Sequence, residues 1–322
     1  MPKLTRTLAF AGRALGNYVR MRPLCVSFEV THNCNARCRH CHLGPPRAET
    51  LAPPERYAEL CSELRPLVAQ VSGGEPLLRG DLDAIVRGLT RPGAPPHVVL
   101  TTNGALLTPK RHQELREAGV CDFSLSLDYP DARHDEFRSI PGLYAHIDDL
   151  MRTLSSNGKA HGVTLACVVQ RGNFRDLPAI AEKALAWKAG VSFSAYTWLR
   201  TGNREMLLAP DELDELREVL RRVSAHKRRH GNVFTSDYVL RRMPEYFARP
   251  GMARCRAGER FLVVNSDGTL SPCGLILRDY SDRRALVSSF THGNDCDRCY
   301  TALRANTEKP AYWLVRDTLS RL

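Results

Sequence analysis

No stretch of this chain approaches the roughly 20 consecutive apolar residues that a membrane-spanning helix needs. None reads as a secretory signal either: Arg13 interrupts the first apolar segment, and no small-residue cleavage site follows it. Low-complexity tracts are missing, as are internal repeats of the solenoid kind. Acidic residues are missing from the first segment, where none precedes Glu29. These absences exclude a helical membrane protein, a repeat array and a disordered tail. They leave a cytoplasmic globular protein as the expectation.

What the chain does have is cysteine and positive charge. Eleven cysteines without a secretory signal make a poor disulfide framework and a good supply of metal ligands. Seven of them form two groups with ligand-like spacing. Cys25, Cys61, Cys121 and Cys167 are scattered over expected strands and a helix, where a thiol acts as a small buried apolar group. The 46 Lys and Arg residues outnumber 35 Asp and Glu, a formal net charge of +11. That excess favours an anionic partner such as phosphates, an anionic membrane surface or nucleic acid; the alternative is a solvated basic surface. A length of 322 residues suits one large α/β domain plus a smaller one.

Residues 3–20 carry apolar side chains at Leu4, Leu8, Ala11, Leu15 and Tyr18/Val19, which is helical spacing. Lys3, Arg6, Arg13 and Arg20 fall mostly off that stripe. The simpler expectation is that the stripe packs on the body of the protein; the alternative is a helix lying on a membrane. After Pro23 the chain alternates strand and helix. Strands are expected at 24–31, 67–72, 97–102, 122–127, 162–169 and 191–197, short and apolar like buried parallel strands. Thr108-Pro109 opens one intervening helix and Gly119 closes it, while another runs from about 175 to 189 and stops at Gly190. Six such units predict an α/β fold, a partial (β/α)6 parallel barrel. Beyond Asn203, Leu213, Leu216, Leu220 and Val223 mark an amphipathic helix. A second helix is expected over 236–248, a β-hairpin over 260–273 with Asp267-Gly268 in its turn, and a last helix over 310–321.

Cys34, Cys38 and Cys41 form CxxxCxxC in the loop after the first strand. Three thiolates on a four-iron cube leave one iron without a protein ligand, and an open position is what a catalytic metal centre needs. On spacing alone the alternative is a zinc site that borrows His40 or His42 as fourth ligand.

The pattern resembles the radical S-adenosylmethionine (SAM) superfamily, with further landmarks in order over residues 24–203. Val71-Ser72-Gly73-Gly74-Glu75-Pro76 is similar to the family's GGEP motif, which holds the SAM amino group. Thr101-Thr102-Asn103-Gly104 ends the third strand and Ser126-Leu127-Asp128 the fourth. Ser126 and Arg138 are spaced like the family's pair for the SAM ribose and carboxylate. Val168-Val169 with Asn173, and Arg200-Thr201-Gly202-Asn203, resemble the fifth- and sixth-strand landmarks. The resemblance implies a [4Fe-4S] cluster on Cys34, Cys38 and Cys41. It implies SAM held by Gly73, Gly74, Glu75, Thr102, Asn103, Ser126, Arg138, Asn173 and Arg200. It also implies reductive cleavage of SAM to a 5′-deoxyadenosyl radical that abstracts a substrate hydrogen, with flavodoxin or ferredoxin as reducing partner.

Cys255, Cys273, Cys296 and Cys299 are a closed set of four, two at the base of the hairpin and two in a CxxC. Spacing alone allows a zinc ribbon or an iron–sulfur site. Cys255–Gly258, the hairpin and the Ser-Pro-Cys ending resemble the SPASM or twitch modules of radical SAM enzymes. No cysteine follows Cys299, so the resemblance implies one auxiliary [4Fe-4S] cluster with four ligands.

The expected organisation is a basic amphipathic helix (1–23), the barrel (24–203), a helical connector (204–250), a small C-terminal α+β iron–sulfur domain (251–309) and a last helix (310–322). The expected activity is a C–H modification such as a two-electron oxidation, the auxiliary cluster assisting electron transfer. The alternatives are a radical SAM enzyme acting on a peptide or lipid, and a non-catalytic iron–sulfur or zinc scaffold. No residue stands out as a substrate base. The charge suggests an anionic substrate, and the first helix suggests peripheral contact at the inner membrane face. Nucleic acid is not expected as a partner.

Overall fold

Six runs rich in Val, Leu, Phe and Thr become six parallel strands in the computed structural model, which describes residues 3–41, 48–249, 251–252, 254–276 and 278–319. They are β1 (Cys25–Glu29), β2 (Val68–Ser72), β3 (His97–Thr102), β4 (Asp122–Ser126), β5 (Val163–Val169) and β6 (Gly190–Ala195). Each pairs in parallel with the next in chain order, as short right-handed crossovers dictate. The order of the strands leaves the sheet open at β6, a partial barrel. Alternate strand residues such as Val26, Phe28, Val98, Leu100 and Leu165 are buried in one continuous core with Leu60, Ile85, Leu115, Ile147 and Ile180 of the crossover helices. Burying a side chain of this kind stabilises the fold by about 1.5–3 kcal/mol each.

Local signals set several boundaries. Thr108 accepts a hydrogen bond from the Arg111 N–H and caps the helix Pro109–Ala118, and Gly119 closes it at φ 122°. The helix expected to reach Gly190 instead ends at Ala186. Lys188 turns into the left-handed region at φ 55°, which frees Gly190 to open β6.

The C-terminal hairpin is β7 (Phe261–Val264) and β8 (Leu270–Ser271). Its first strand pairs in parallel with β1, Cys25 opposite Phe261, so the sheet runs β6-β5-β4-β3-β2-β1-β7-β8. The hairpin that leads into Cys273 therefore lies directly beside the strand that leads into Cys34.

The helix Lys3–Val19 forms as expected, but Leu8, Ala11, Leu15 and Val19 of its apolar stripe do not pack inward; the Leu4 side chain lies outside what the structure describes. Leu8, Leu15 and Val19 are 62%, 67% and 70% exposed, and Ala11 faces out with them. The helix is held by its other side. Buried Asn17 donates 2.8 Å hydrogen bonds to the carbonyls of Pro23 and Arg65, and the Arg260 guanidinium stacks 3.8 Å over the Tyr18 ring. A polar anchor outcompeted the apolar stripe. Among the described residues no helix is long and apolar enough to cross a membrane.

Candidate functional site

The carboxyl ends of the parallel strands converge on the loop that carries Cys34, Cys38 and Cys41. Glu49 braces the start of this loop. It accepts hydrogen bonds from the Thr31 hydroxyl, from His32 N–H at 2.8 Å and from Asn33 Nδ2 at 3.1 Å. Partial burial raises its pKa, but these donors hold the carboxyl below its ordinary value. No motif marked Glu49 in the sequence.

Gly73 and Gly74 press the end of β2 against the same loop. Gly74 N–H donates to Thr31 O at 2.7 Å and Glu75 N–H to Asn33 O at 2.9 Å. A Cβ on Gly73, which sits at φ 140°, would lie 2.1 Å from Thr31 O, and one on Gly74 would lie 2.1 Å from Asn33 O. Only glycine fits at either position. Gly74→Ala is expected to destabilise the fold by about 1–3 kcal/mol through overpacking and to impair iron retention. Gly80→Ala, where no atom lies within 4 Å of the added methyl, is the control. Anaerobic thermal melts and iron analysis of the two variants check this.

Glu75 is 0% exposed. It accepts from Thr102 Oγ1 at 2.7 Å, Asn103 N–H at 2.8 Å and Leu77 N–H at 3.1 Å, which ties the end of β2 to the end of β3. Burial pushes its carboxyl up, against the pull of those donors. Asn103 in turn donates to Asn35 Oδ1 at 2.7 Å and lies 4.0 Å from Cys34 Sγ.

Arg138 is buried beside the loop with Nη1 3.7 Å from Cys38 Sγ. Its Nε and Nη2 lie 2.7 and 2.5 Å from Asp128 Oδ2. Asp128 is fully buried, which raises its pKa, but the Arg138 guanidinium brings the carboxyl below its ordinary value. Ser126, two residues before Asp128, is buried at the end of β4. Asn173 is 0% exposed, and its amide is spent on Asp128 O and Val168 O, both at 3.0 Å, and on Gln170 N–H at 2.9 Å. It fastens β4 to β5. Asp128, which the sequence marks only as the end of the fourth-strand landmark, is the partner that holds Arg138. The signal was the Ser-Leu-Asp run itself.

Arg200 follows β6. Its Nη1 lies 3.2 Å from Cys41 Sγ, and its Nη2 donates to Gly274 O at 2.6 Å. Burial lowers its pKa and the nearby Cys41 raises it, for a net upward shift. One guanidinium thus touches both cysteine regions. His40 stacks on Phe137 with ring centroids 5.0 Å apart, and its Nδ1 is buried with no partner among the described residues. Burial pulls it down to about 3, so the ring is neutral. His42 lies outside the described residues.

The four C-terminal cysteines lie near one another. Cys255 and Cys296 share a thiol hydrogen bond, which pulls Cys296 below its ordinary value. Cys273 and Cys299 are close enough to influence each other electrostatically. Fully buried Arg304 donates to Cys299 O at 2.9 Å, to Met252 O, and to Glu308 Oε2 at 2.8 Å. Asn294 bridges Cys255 O at 2.8 Å and Cys296 N–H at 3.1 Å. Gly258, at φ 85°, leaves 2.2 Å between a notional Cβ and Thr291 Oγ1. Among the described residues no three His, Cys, Asp or Glu side chains converge closely enough to share a single ion.

Comparison with known proteins gives the arrangement a context. Residues 28–184 match the profile of the radical SAM superfamily. The chain is 30% identical over 262 residues to a protein named PqqA peptide cyclase from Gluconobacter oxydans, covering 78% of this chain and 70% of that one. It is 25% identical over 288 residues to one named AdoMet-dependent heme synthase from Nitratidesulfovibrio vulgaris, covering 81% and 77%. In fold it is similar to Streptococcus suis SuiB bound to S-adenosylmethionine, with TM-score 0.64 and 16% identity over 95% of this chain and 72% of that one. It is similar also to anSMEcpe with bound AdoMet, with TM-score 0.61 and 18% identity over 84% and 79%.

Proposed function

Since the chain belongs to the radical SAM superfamily, we propose that it is an enzyme that modifies a C–H bond of its substrate, aided by an auxiliary iron–sulfur cluster. The family implies SAM and a [4Fe-4S] cluster, here assigned to Cys34, Cys38 and Cys41. The observation that carries the reading is the set of donors around these sulfurs. Asn103 faces Cys34 from the end of β3, Arg138 faces Cys38 from the helix Arg133–Arg138 after β4, and Arg200 faces Cys41 from the loop after β6. Donors around cluster sulfurs are how a protein orients such a group and tunes its potential. When bound, the cluster and SAM supply a 5′-deoxyadenosyl radical able to take hydrogen from an unactivated carbon.

The chain's own residues then divide the work. Glu49 and the Gly73-Gly74 pair fix the cysteine loop. Glu75 locks the ends of β2 and β3 together. Asp128 and Asn173 hold Arg138 in place, and Ser126 with Arg138 is the pair we assign to the SAM ribose and carboxylate. Cys255, Cys273, Cys296 and Cys299 would hold the auxiliary [4Fe-4S] cluster. Arg200 reaches from Cys41 to the carbonyl beside Cys273, which suits electron transfer between the two sites. Flavodoxin or ferredoxin would supply the reducing electron. A net charge of +11 supports an anionic substrate.

Two measurements test this. Anaerobically reconstituted protein given SAM and dithionite should form 5′-deoxyadenosine; if none forms, the scaffold reading replaces this one. Wild type should hold about eight irons, falling to about four in the Cys296→Ala/Cys299→Ala variant. An unchanged iron count in that variant would remove the auxiliary cluster.

A further inference from the structure

The outward ridge of the first helix is left unexplained by the chemistry of the barrel. Leu8, Leu15 and Val19 lie on one face, more than half exposed, and Met21 continues the ridge at 43% exposure. The helix Lys3–Val19 contains no acidic residue. Just past its end the ridge meets a basic cavity of about 540 Å³, lined by Arg22, Arg283, Arg284 and His292 with Glu63 as its acidic member. The two features are physically joined. Arg283 donates through Nη2 to the Met21 carbonyl, so a wall of the cavity grips the end of the ridge. The Arg283 Nε is buried and has no hydrogen-bond partner among the described residues. Its guanidinium is held below its ordinary pKa by burial and by neighbouring Arg22, a crowding of like charge that an anion would relieve.

We propose that this face docks on an anionic phospholipid surface, the ridge entering the headgroup layer and Arg22, Arg283 and Arg284 meeting lipid phosphates. The charge on the face selects this occupant. An apolar ridge alone would fit a second copy of the chain equally well. A ridge on an acid-free helix that runs into three arginines fits a layer that is apolar inside and negatively charged at its rim. The helix is amphipathic and shorter than a membrane span, so it lies on the surface and does not cross it.

Flotation of the full reconstituted chain with vesicles tests the proposal. Phosphatidylcholine mixed with phosphatidylglycerol should bind the chain, and phosphatidylcholine alone should bind it far more weakly. Arg22→Gln/Arg284→Gln should weaken binding roughly 30-fold at low salt. Leu8→Ser/Leu15→Ser/Val19→Ser should abolish it while leaving the thermal melt and 5′-deoxyadenosine formation unchanged, since these side chains are exposed. Equal binding to both vesicle types, or equal binding by the variants, overturns the proposal. So does a ridge variant that turns a dimer into a monomer with vesicle binding intact. An arginine variant that loses affinity for a DNA oligonucleotide but not for vesicles overturns it as well.

Discussion

Replacing Cys38 with alanine is expected to lower 5′-deoxyadenosine formation at least about a thousandfold and to remove about four irons. Cys38 is the most enclosed of the three loop cysteines, and Arg138 lies 3.7 Å from its sulfur. Burial pushes its thiol up while Arg138 pulls it down, with a net upward result in the free protein. Iron must therefore displace a proton there, and an alanine leaves a buried gap with an arginine facing it. A cube that keeps only two protein thiolates has little to hold it against loss to solvent. Cys121→Ala is the control, because Cys121 sits before β4 at the opposite end of that strand from the loop. Both variants should fold before reconstitution, and only Cys38→Ala should lose iron and product. If Cys38→Ala still cleaves SAM at the wild-type rate, the N-terminal assignment is wrong. Zinc without iron in the wild type would favour the four-ligand reading, for which neutral His40 is the described candidate.

Much of this architecture could be read from residue order because the parallel strands are local apolar runs bounded by turns. The strand expected at 97–102 is β3 to the residue, and Thr108 and Gly119 bound their helix through backbone hydrogen bonds that one side chain or one φ value controls. Long-range pairing was not legible in the same way. Nothing in the run Phe261–Val264 announces that it will pair in parallel with β1, because a run of Val and Phe suits any sheet edge. The first helix shows the same limit. Its period marks a stripe, but the direction of the stripe was decided by Asn17 bonding Arg65 O and Pro23 O. The cysteines stand out by their spacing and Glu75 by the resemblance of its Gly-Gly-Glu-Pro run, and the fold brings both to the loop after β1. Glu49 does not stand out, because a lone carboxylate after a loop has no local pattern. Asn173 was singled out for a cofactor, yet its amide bonds two carbonyls of the barrel, a role that only the folded backbone reveals.

Arg138→Met is expected to destabilise the protein by about 3–5 kcal/mol, because it strands a buried charge. Asp128 is 0% exposed and is reached by Arg138 at 2.7 and 2.5 Å; its other oxygen accepts from Val168 N–H at 2.9 Å. In the wild type the arginine keeps the Asp128 carboxyl below its ordinary value of 3.8, despite burial. An acid with a depressed folded-state pKa stabilises the fold above its unfolded pKa. That contribution disappears as pH falls through the folded value. Wild-type stability should thus decline on acidification below about pH 4. In Arg138→Met the sign reverses. Burial without a partner raises the folded-state pKa, the native state binds more protons than the unfolded one, and stability falls as pH rises above about 4. Asp128→Asn in the same background removes the charge while keeping an acceptor for Val168. The double variant should recover most of the lost stability and lose the reversed pH dependence. Denaturant melts at several pH values distinguish these outcomes. If the single variant melts like wild type across that range, Asp128 is reached by water or another cation, and Arg138 is free to serve SAM alone.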